Sequence, residues 1–298
     1  MAELGAHLKI GVIGAGAMGS GILKSLIRAG HNCLAFDIDE ARMQDARSYG
    51  AGVCVSAEQL LTQAQVVFIV VVDAGQIDQV LKQALPSCNP GTFVVLCSTI
   101  SPSSTIDFCQ RIDAAGGFAV DAPISGGPAR AESAQMSMML AAQSAHLSAL
   151  MPLFKQMSAV QFVISENVGD AAKAKLVNNL LAAINLAGAA EAMAFANILG
   201  LHDKQIFNLM SASSGQSWIM QDRISRALDG DYAPRAAAHV LTKDVTLANQ
   251  LAAEHKLKLP LGDQARQALQ ATCDGGWRLE DDAAILKYYC AKYSHMPE

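Results

Sequence analysis

Residues 8–37 read LKIGVIGAGAMGSGILKSLIRAGHNCLAFD. The apolar run at 8–13 predicts a buried strand, and Gly14-Ala15-Gly16-Ala17-Met18-Gly19 follows it at once. A helical pattern through Ile22, Leu23 and Leu26 ends at Gly30, and residues 32–36 predict a second strand that stops at Asp37. A glycine-rich turn by itself is weak evidence. Placed between strand and helix, with an acid about 20 residues on, it is the fingerprint of a dinucleotide-binding βαβ unit. Gly14 permits the tight turn, Gly16 lets backbone approach a pyrophosphate, and Gly19 allows close helix–strand packing. Ala17 and Met18 open the helix, whose free N–H groups and dipole favour phosphate. Asp37 is placed to accept hydrogen bonds from ribose hydroxyls; the competing reading is an acidic turn residue. A carboxylate there repels a 2′-phosphate, and Ile38-Asp39 brings no arginine, so NAD is expected rather than NADP. Arg42 is the nearby residue that argues the other way.

The alternation of strand and helix continues outward from this unit. Residues 66–72 form an unbroken apolar run suited to a central parallel strand, with a helix around 76–85. Further strands are expected at 92–97 and 118–122, with a helix at 103–115 between them, and last strands at 135–140 and 161–164. Strand ends in such a sheet converge on the nucleotide, which makes Asp73 and Thr99 candidate cofactor contacts; either could instead cap a helix. At 121–128 the chain reads DAPISGGP, a strand running into a proline-bounded turn. Exposed N–H groups of Gly126 and Gly127, with the Ser125 hydroxyl, can make a nest for a carboxylate, though an ordinary loop reads the same way.

After residue 166 the strand signals stop. Residues 169–200 carry no proline and are rich in Ala, Leu and Met, so they predict one helix about 45 Å long, with Leu176, Leu180, Ile184 and Phe195 as its large apolar contacts. Lys175 and Asn179 are four apart and share a face, with Asn178 beside them. Solvated polar residues would read the same, but this pair falls where one compositional regime gives way to another. Further helices are expected at 202–211, 217–228, 236–254, 261–273 and 281–291. The expected class is α/β: a Rossmann-type dinucleotide-binding domain at 1–166 and an all-α substrate and dimerisation domain at 167–298, joined by the long interdomain helix, with Lys175 and Asn179 facing the cleft between them.

Bulk properties bound the partners. The chain has 298 residues, 51% hydrophobic and 16% charged, enough for a sizeable core. A net charge of −5 without a basic run argues against nucleic acid and anionic membrane as partners. Seven cysteines without a C-x-x-C pair, and scattered histidines without H-E-x-x-H, predict reduced core thiols and no metal site. The first residues lack a signal-peptide core and no stretch reads as apolar enough to span a bilayer, so a cytoplasmic protein is expected.

Four ordered stretches now coincide: VIGAGAMGSG, DAPISGGPARA, GDAAKAKLVNN and LTKD at 241–244. Together they closely resemble the β-hydroxyacid dehydrogenase family, which includes 3-hydroxyisobutyrate dehydrogenase and tartronate semialdehyde reductase. Gly215-Gln216-Ser217-Trp218, Asp229-Gly230-Asp231-Tyr232, Lys243-Asp244 and Glu280-Asp281-Asp282-Ala283-Ala284 look most like its L-threonate dehydrogenase branch, which acts on four-carbon sugar acids.

The resemblance implies roles. Its catalytic lysine stands four residues before an asparagine, which matches Lys175 and Asn179; Lys173 fails because Val177 takes the asparagine's place. Its serine-glycine-glycine turn, here Ser125, Gly126 and Gly127, holds the substrate carboxylate, and Asn179 orients the substrate hydroxyl or the ammonium. Thr99 and Lys243 match its cofactor contacts. The implied reaction is NAD-dependent hydride transfer from a small anionic hydroxy acid such as L-threonate, with lysine as acid/base. An unperturbed lysine titrates near 10.4, so base catalysis at neutral pH asks for a desolvated setting and a neighbouring cation such as Lys243. Alternatives are a 3-hydroxyisobutyrate dehydrogenase, a reductase of tartronate or other semialdehydes, and a non-catalytic dinucleotide-binding protein. A homodimer or homotetramer is implied. Trp218 reads as core or substrate-wall packing, and Arg223 as a solvated helix residue or a clasp for the far end of a polar substrate. Two family glycines are replaced, by Ala134 and Ala171.

Overall fold

The computed structural model describes residues 8–294; the expectation about the first seven residues lies outside them. The chain divides into two compact units, with the division between Lys175 and Leu176.

The first unit runs β1 (Lys9–Ile13), α1 (Ala17–Arg28), β2 (Asn32–Phe36), α2 (Glu40–Ser48), β3 (Gly52–Val53), α3 (Ala57–Gln63), β4 (Val66–Ile69), α4 (Ala74–Ala84), β5 (Phe93–Leu96) and α5 (Pro102–Ala114). It continues through β6 (Phe118–Asp121), β7 (Ile124–Ser125), α6 (Gly127–Glu132), β8 (Ser137–Ala141), α7 (Ser144–Met157) and β9 (Val160–Ser165) into the start of α8 (Asp170–Ile198). The sheet order is β3-β2-β1-β4-β5-β6-β8-β7, with β9 beside β8. From β3 to β6 every pairing is parallel; β8 meets β6 and β7 antiparallel. The order reverses between β1 and β4, the switch point beyond whose strand ends dinucleotides bind in such sheets.

The period-two alternation of the strands splits their side chains between two cores. Ile10, Val12, Val66, Phe68, Phe93 and Val95 pack with Ile22, Leu26, Leu150 and Phe154 on one face. Ile13, Val67, Ile69, Val94 and Leu96 pack with Leu60, Ile77, Leu81 and Ile112 on the other. Both faces are covered, which is why the central strands read as unbroken apolar runs rather than alternating ones. The run at 66–72 leaves the sheet after Ile69: the Val71 N–H donates to Ser98 Oγ, and Asp73 caps α4. The short β3 and β7 and the small helices α2, α3 and α6 were not expected from sequence. Two-residue strands have no period to read, and α2 (EARMQDARS) buries only Met43 and Ala46.

In the second unit α8 is followed by α9 (Asp203–Ser211), α10 (Trp218–Leu228), α11 (Ala238–Glu254), α12 (Pro260–Thr272) and α13 (Ile285–Ser294). Leu186, Ala190 and Met193 of α8 join Ile224, Val245, Leu269 and Ile285 in one core. The alanines on α8 let these helices lie close. Two expectations are corrected here. Phe195 is not a core contact: it is 57% exposed, because it falls on the face of α8 turned away from this cluster. One helix, Asp170–Ile198, is long and apolar enough by length and composition to cross a membrane, with a mean hydropathy of 1.4. Its alanine content raises that mean while its buried stripe serves the helical core, so it qualifies on the same grounds as a core helix of a soluble protein.

All seven cysteines carry free thiols, five of them buried. Burial pushes the Cys33 thiol up to about 12, so it stays protonated and inert.

Candidate active site

The glycine loop after β1 is built without room for side chains. A Cβ on Gly19 would stand 1.9 Å from the Gly14 carbonyl oxygen, which fixes how closely α1 lies against the loop. Gly14 has φ +93°, a conformation side chains disfavour, and a Cβ there would meet the Val70 carbonyl at 2.5 Å. Ala17 is exposed and Met18 half-buried at the start of α1. Asp37 accepts from the Ala15 N–H at 2.7 Å and from the Asp39 N–H at 3.0 Å, so it ties the loop to β2. Arg42 reaches over this corner, with Nη1 3.8 Å from Asp37 and Nε 3.5 Å from Asp39. A Cβ on Gly16 would meet that same Nη1 at 2.7 Å. The bare backbone, helix N-terminus and acid fit a dinucleotide. Thr99 stands half-buried just past β5. Asp73 Oδ1 caps α4, accepting from the Gln76 N–H at 2.9 Å.

The turn after β7 lies in the same unit. Gly126 has φ +129° and Gly127 φ +77°, and nothing stands within 4 Å of where a Gly127 Cβ would be. Ser125 is half-buried beside it, paired across to Ser137 of β8.

The start of α8 is held from beneath. Gly169 has φ +96°, and a Cβ there would press on Ile106 at 2.9 Å. Ala171 is fully buried against Met139 and Ala141 of β8, so the alanine that replaces a family glycine is accommodated. Asp121, at the end of β6 and 1% exposed, accepts from the N–H groups of Gly169 and Ala172 at 2.8 and 3.1 Å. Lys173 is exposed and paired with Asp170 at 2.7 Å, whereas Lys175 is only 6% exposed. Ala134, the other replaced glycine, has φ +58°.

In the second unit Asn179 is buried and donates from Nδ2 to Asp244 Oδ2 at 2.6 Å. Asn178 is exposed and donates from Nδ2 to the Asn179 side-chain Oδ1 at 3.0 Å. Lys243 Nζ lies 2.8 Å from Asp244 Oδ1. Asp244 therefore joins Asn179 to Lys243, a role that sequence reading did not assign. The available signal was an acid on the Leu241, Val245, Ala248 face of α11, which buries it.

Arg223 is neither solvated nor free for a ligand. It is 7% exposed and bonds Asp282 and Asp222, while Arg226 bonds Asp281 at 3.0 Å. Asp281 also accepts from the N–H groups of Arg235, Ala236 and Ala283. Trp218 is 46% exposed, so it is no core residue of its unit.

A glycine cradle at a sheet switch point, in the same unit as a glycine turn and a buried lysine, fits a dinucleotide-binding oxidoreductase. Comparison with known proteins agrees. Residues 9–169 match the family profile described as the NAD-binding domain of 6-phosphogluconate dehydrogenase, and residues 169–289 match that described as NAD-binding of NADP-dependent 3-hydroxyisobutyrate dehydrogenase. An L-threonate dehydrogenase of Cupriavidus necator is 33% identical, covering 94% of this chain and 95% of its own. A 2-(hydroxymethyl)glutarate dehydrogenase of Eubacterium barkeri is 31% identical, covering 95% of each. The crystal structure of a 3-hydroxyisobutyrate dehydrogenase from Salmonella typhimurium is 30% identical, with a TM-score of 0.89 over 94% of this chain and 99% of that one. The chain belongs to the β-hydroxyacid dehydrogenase family related to 3-hydroxyisobutyrate dehydrogenase, with its likeness on the L-threonate dehydrogenase branch. It is a dehydrogenase of small hydroxy acids, acting on CH–OH donors with an NAD(P) cofactor.

Proposed function

We propose that the protein oxidises a four-carbon sugar acid, L-threonate foremost, with NAD rather than NADP and with Lys175 as the acid/base. The observation that carries this reading is Lys175 itself, a lysine 6% exposed on α8 in the unit that also holds the Ser125-Gly126-Gly127 turn. A buried lysine is uncommon unless it has a task. Gly14, Gly16, Ala17, Met18, Gly19, Asp37 and Asp73 would hold the nucleotide, with Thr99 and Lys243 added from the family likeness. NAD, when bound, supplies the acceptor for the hydride from the hydroxyl carbon. The chain's own residues do the rest. The turn N–H groups and the Ser125 hydroxyl hold the substrate carboxylate, and Lys175 Nζ takes the hydroxyl proton. Asp244 fixes the Asn179 amide, one helical turn beyond Lys175.

The NAD preference is supported by Asp37 and Asp39, two carboxylates at the corner where a 2′-phosphate would stand, against the single Arg42. The same reading includes a cytoplasmic homodimer or homotetramer, supported by the exposed Val177, Leu181, Phe195 and Ile198 of α8; sedimentation analysis at working concentration tests it.

The test is NADH formation from a panel holding L-threonate, 3-hydroxyisobutyrate, glycerate and 2-(hydroxymethyl)glutarate, repeated with NADP. Turnover confined to L-threonate and NAD is the expected result. Turnover on another acid moves the specificity, and faster reduction of NADP reverses the cofactor assignment. Lys175→Ala should cut turnover about 100-fold or more with nucleotide affinity kept. A variant that turns over at the normal rate removes Lys175 from the mechanism.

A further inference from the structure

Asp121 is used by nothing described so far in the proposed reaction, yet it is buried and held by backbone N–H groups. Its Oδ2 takes the N–H groups of Gly169 and Ala172, two of the donors that the first turn of α8 leaves without helical partners. Three residues after Ala172 comes Lys175. Four residues after Asp121, along the same strand-to-turn segment, comes Ser125. One carboxylate therefore sits where the turn that would hold the substrate acid and the helix that carries the lysine are tied together, all within the first unit.

We infer that Asp121 is a positioning residue: its carboxylate sets the register of the first turn of α8 and so the placement of Lys175 relative to the Ser125-Gly126-Gly127 turn. The inference rests on Lys175 being the acid/base.

Energetics separate this role from simple stabilisation. Burial pushes the Asp121 carboxyl up to about 6 from an ordinary 3.8, against the backbone N–H groups of Ala172, Gly169 and Ala171, which draw it down. The titratable groups facing it are Asp170 on α8, Cys97 beyond β5 and Cys109 on α5. A carboxyl whose folded value is raised contributes stability below about 3.8 that is lost as pH rises through about 6. At neutral pH the buried charge thus lowers stability, while the ionised oxygen is the better acceptor for the helix end.

The variant Asp121→Asn keeps the shape and one acceptor oxygen but removes the charge. Its kcat should fall about 10- to 100-fold, the range a small misplacement of a catalytic group produces. The KM for NAD should hold, and the Tm at pH 8 should stay level or rise. Asp170→Asn, in the same turn but bonded to Ser165 and Lys173, should leave kcat alone. Full kcat in Asp121→Asn, or an equal loss in Asp170→Asn, overturns the inference. If Asp121→Asn does not fold, wild-type protein still decides. Amide exchange at Gly169 and Ala172 at pH 8, corrected for intrinsic rates, should be strongly slowed, and exchange at open-chain rates overturns the inference. Lys175→Ala run alongside separates the failures: normal turnover there sinks the lysine assignment, while loss there with full activity in Asp121→Asn sinks only this one.

Discussion

Asp121 and Asp282 are both buried carboxylates, and the two units satisfy them in opposite ways. Asp121 is met by backbone N–H groups at a helix end. Asp282 is 2% exposed and meets Arg223, inside a cluster that also contains Asp222, Arg226 and Asp281. Burial pushes Asp282 up to about 7 against the pull of the Arg223 charge, with Asp281 adding repulsion. Burial also works upward on Asp281, but the bonds from Arg226 and the Arg235 N–H, with the Arg223 charge, hold it below the usual carboxylate range. Removing a carboxylate from backbone donors strands no charge. Removing one member of the arginine cluster leaves an opposite charge buried without its partner. Loss in the first unit should therefore appear in turnover, and loss in the second in folding.

The strongest break of that comparison is Arg223→Ala. It strands Asp282 and should cost about 3–5 kcal/mol of stability, read by thermal or urea unfolding. A loss below about 1 kcal/mol, the worth of an exposed pair, would mean the cluster is solvated and the contrast with Asp121 false. Next is Gly19→Ala, where the new Cβ meets the Gly14 carbonyl at 1.9 Å and α1 has to back away. We expect a cost of about 1–3 kcal/mol and weaker NAD binding by calorimetry; unchanged affinity would detach the loop from the nucleotide. The smallest effect sharpens the picture of strain just after α6. Ala134 sits at φ +58°, so Ala134→Gly should stabilise by about 1 kcal/mol, offset in part by glycine's greater freedom when unfolded. A lower Tm would show that the surroundings already relieve the strained backbone.

The motifs that narrowed the resemblance to one branch teach a related lesson. The Ser217 side chain accepts from the Met220 N–H as the cap of α10, Asp231 pairs with Arg235, and the Tyr232 carbonyl accepts from the Asp281 N–H. Together with Asp281 and Asp282 these residues knit the helical unit around Arg223 and Arg226. Along the chain Arg223 reads as a residue for solvent or for a substrate, because nothing local shows an acid 59 residues away. A branch signature can thus record how a unit is built as well as what it binds.

By itself the sequence determined the α/β unit, its glycine loop, Asp37 at the second strand end, the Ser125-Gly126-Gly127 turn and the long helix with Lys175. Those features are written in short-range terms: a period of two or of 3.6, a glycine where a side chain cannot go, a four-residue spacing. Only the tertiary structure decided that Asp73 caps α4, that Phe195 faces away from its core, and that Ala134 is strained. It alone brought Asp121 to α8, Asp244 to Asn179 and Asp282 to Arg223. Burial and hydrogen-bond partners are set by residues 48 to 65 positions apart in these three contacts, and no local pattern carries that information.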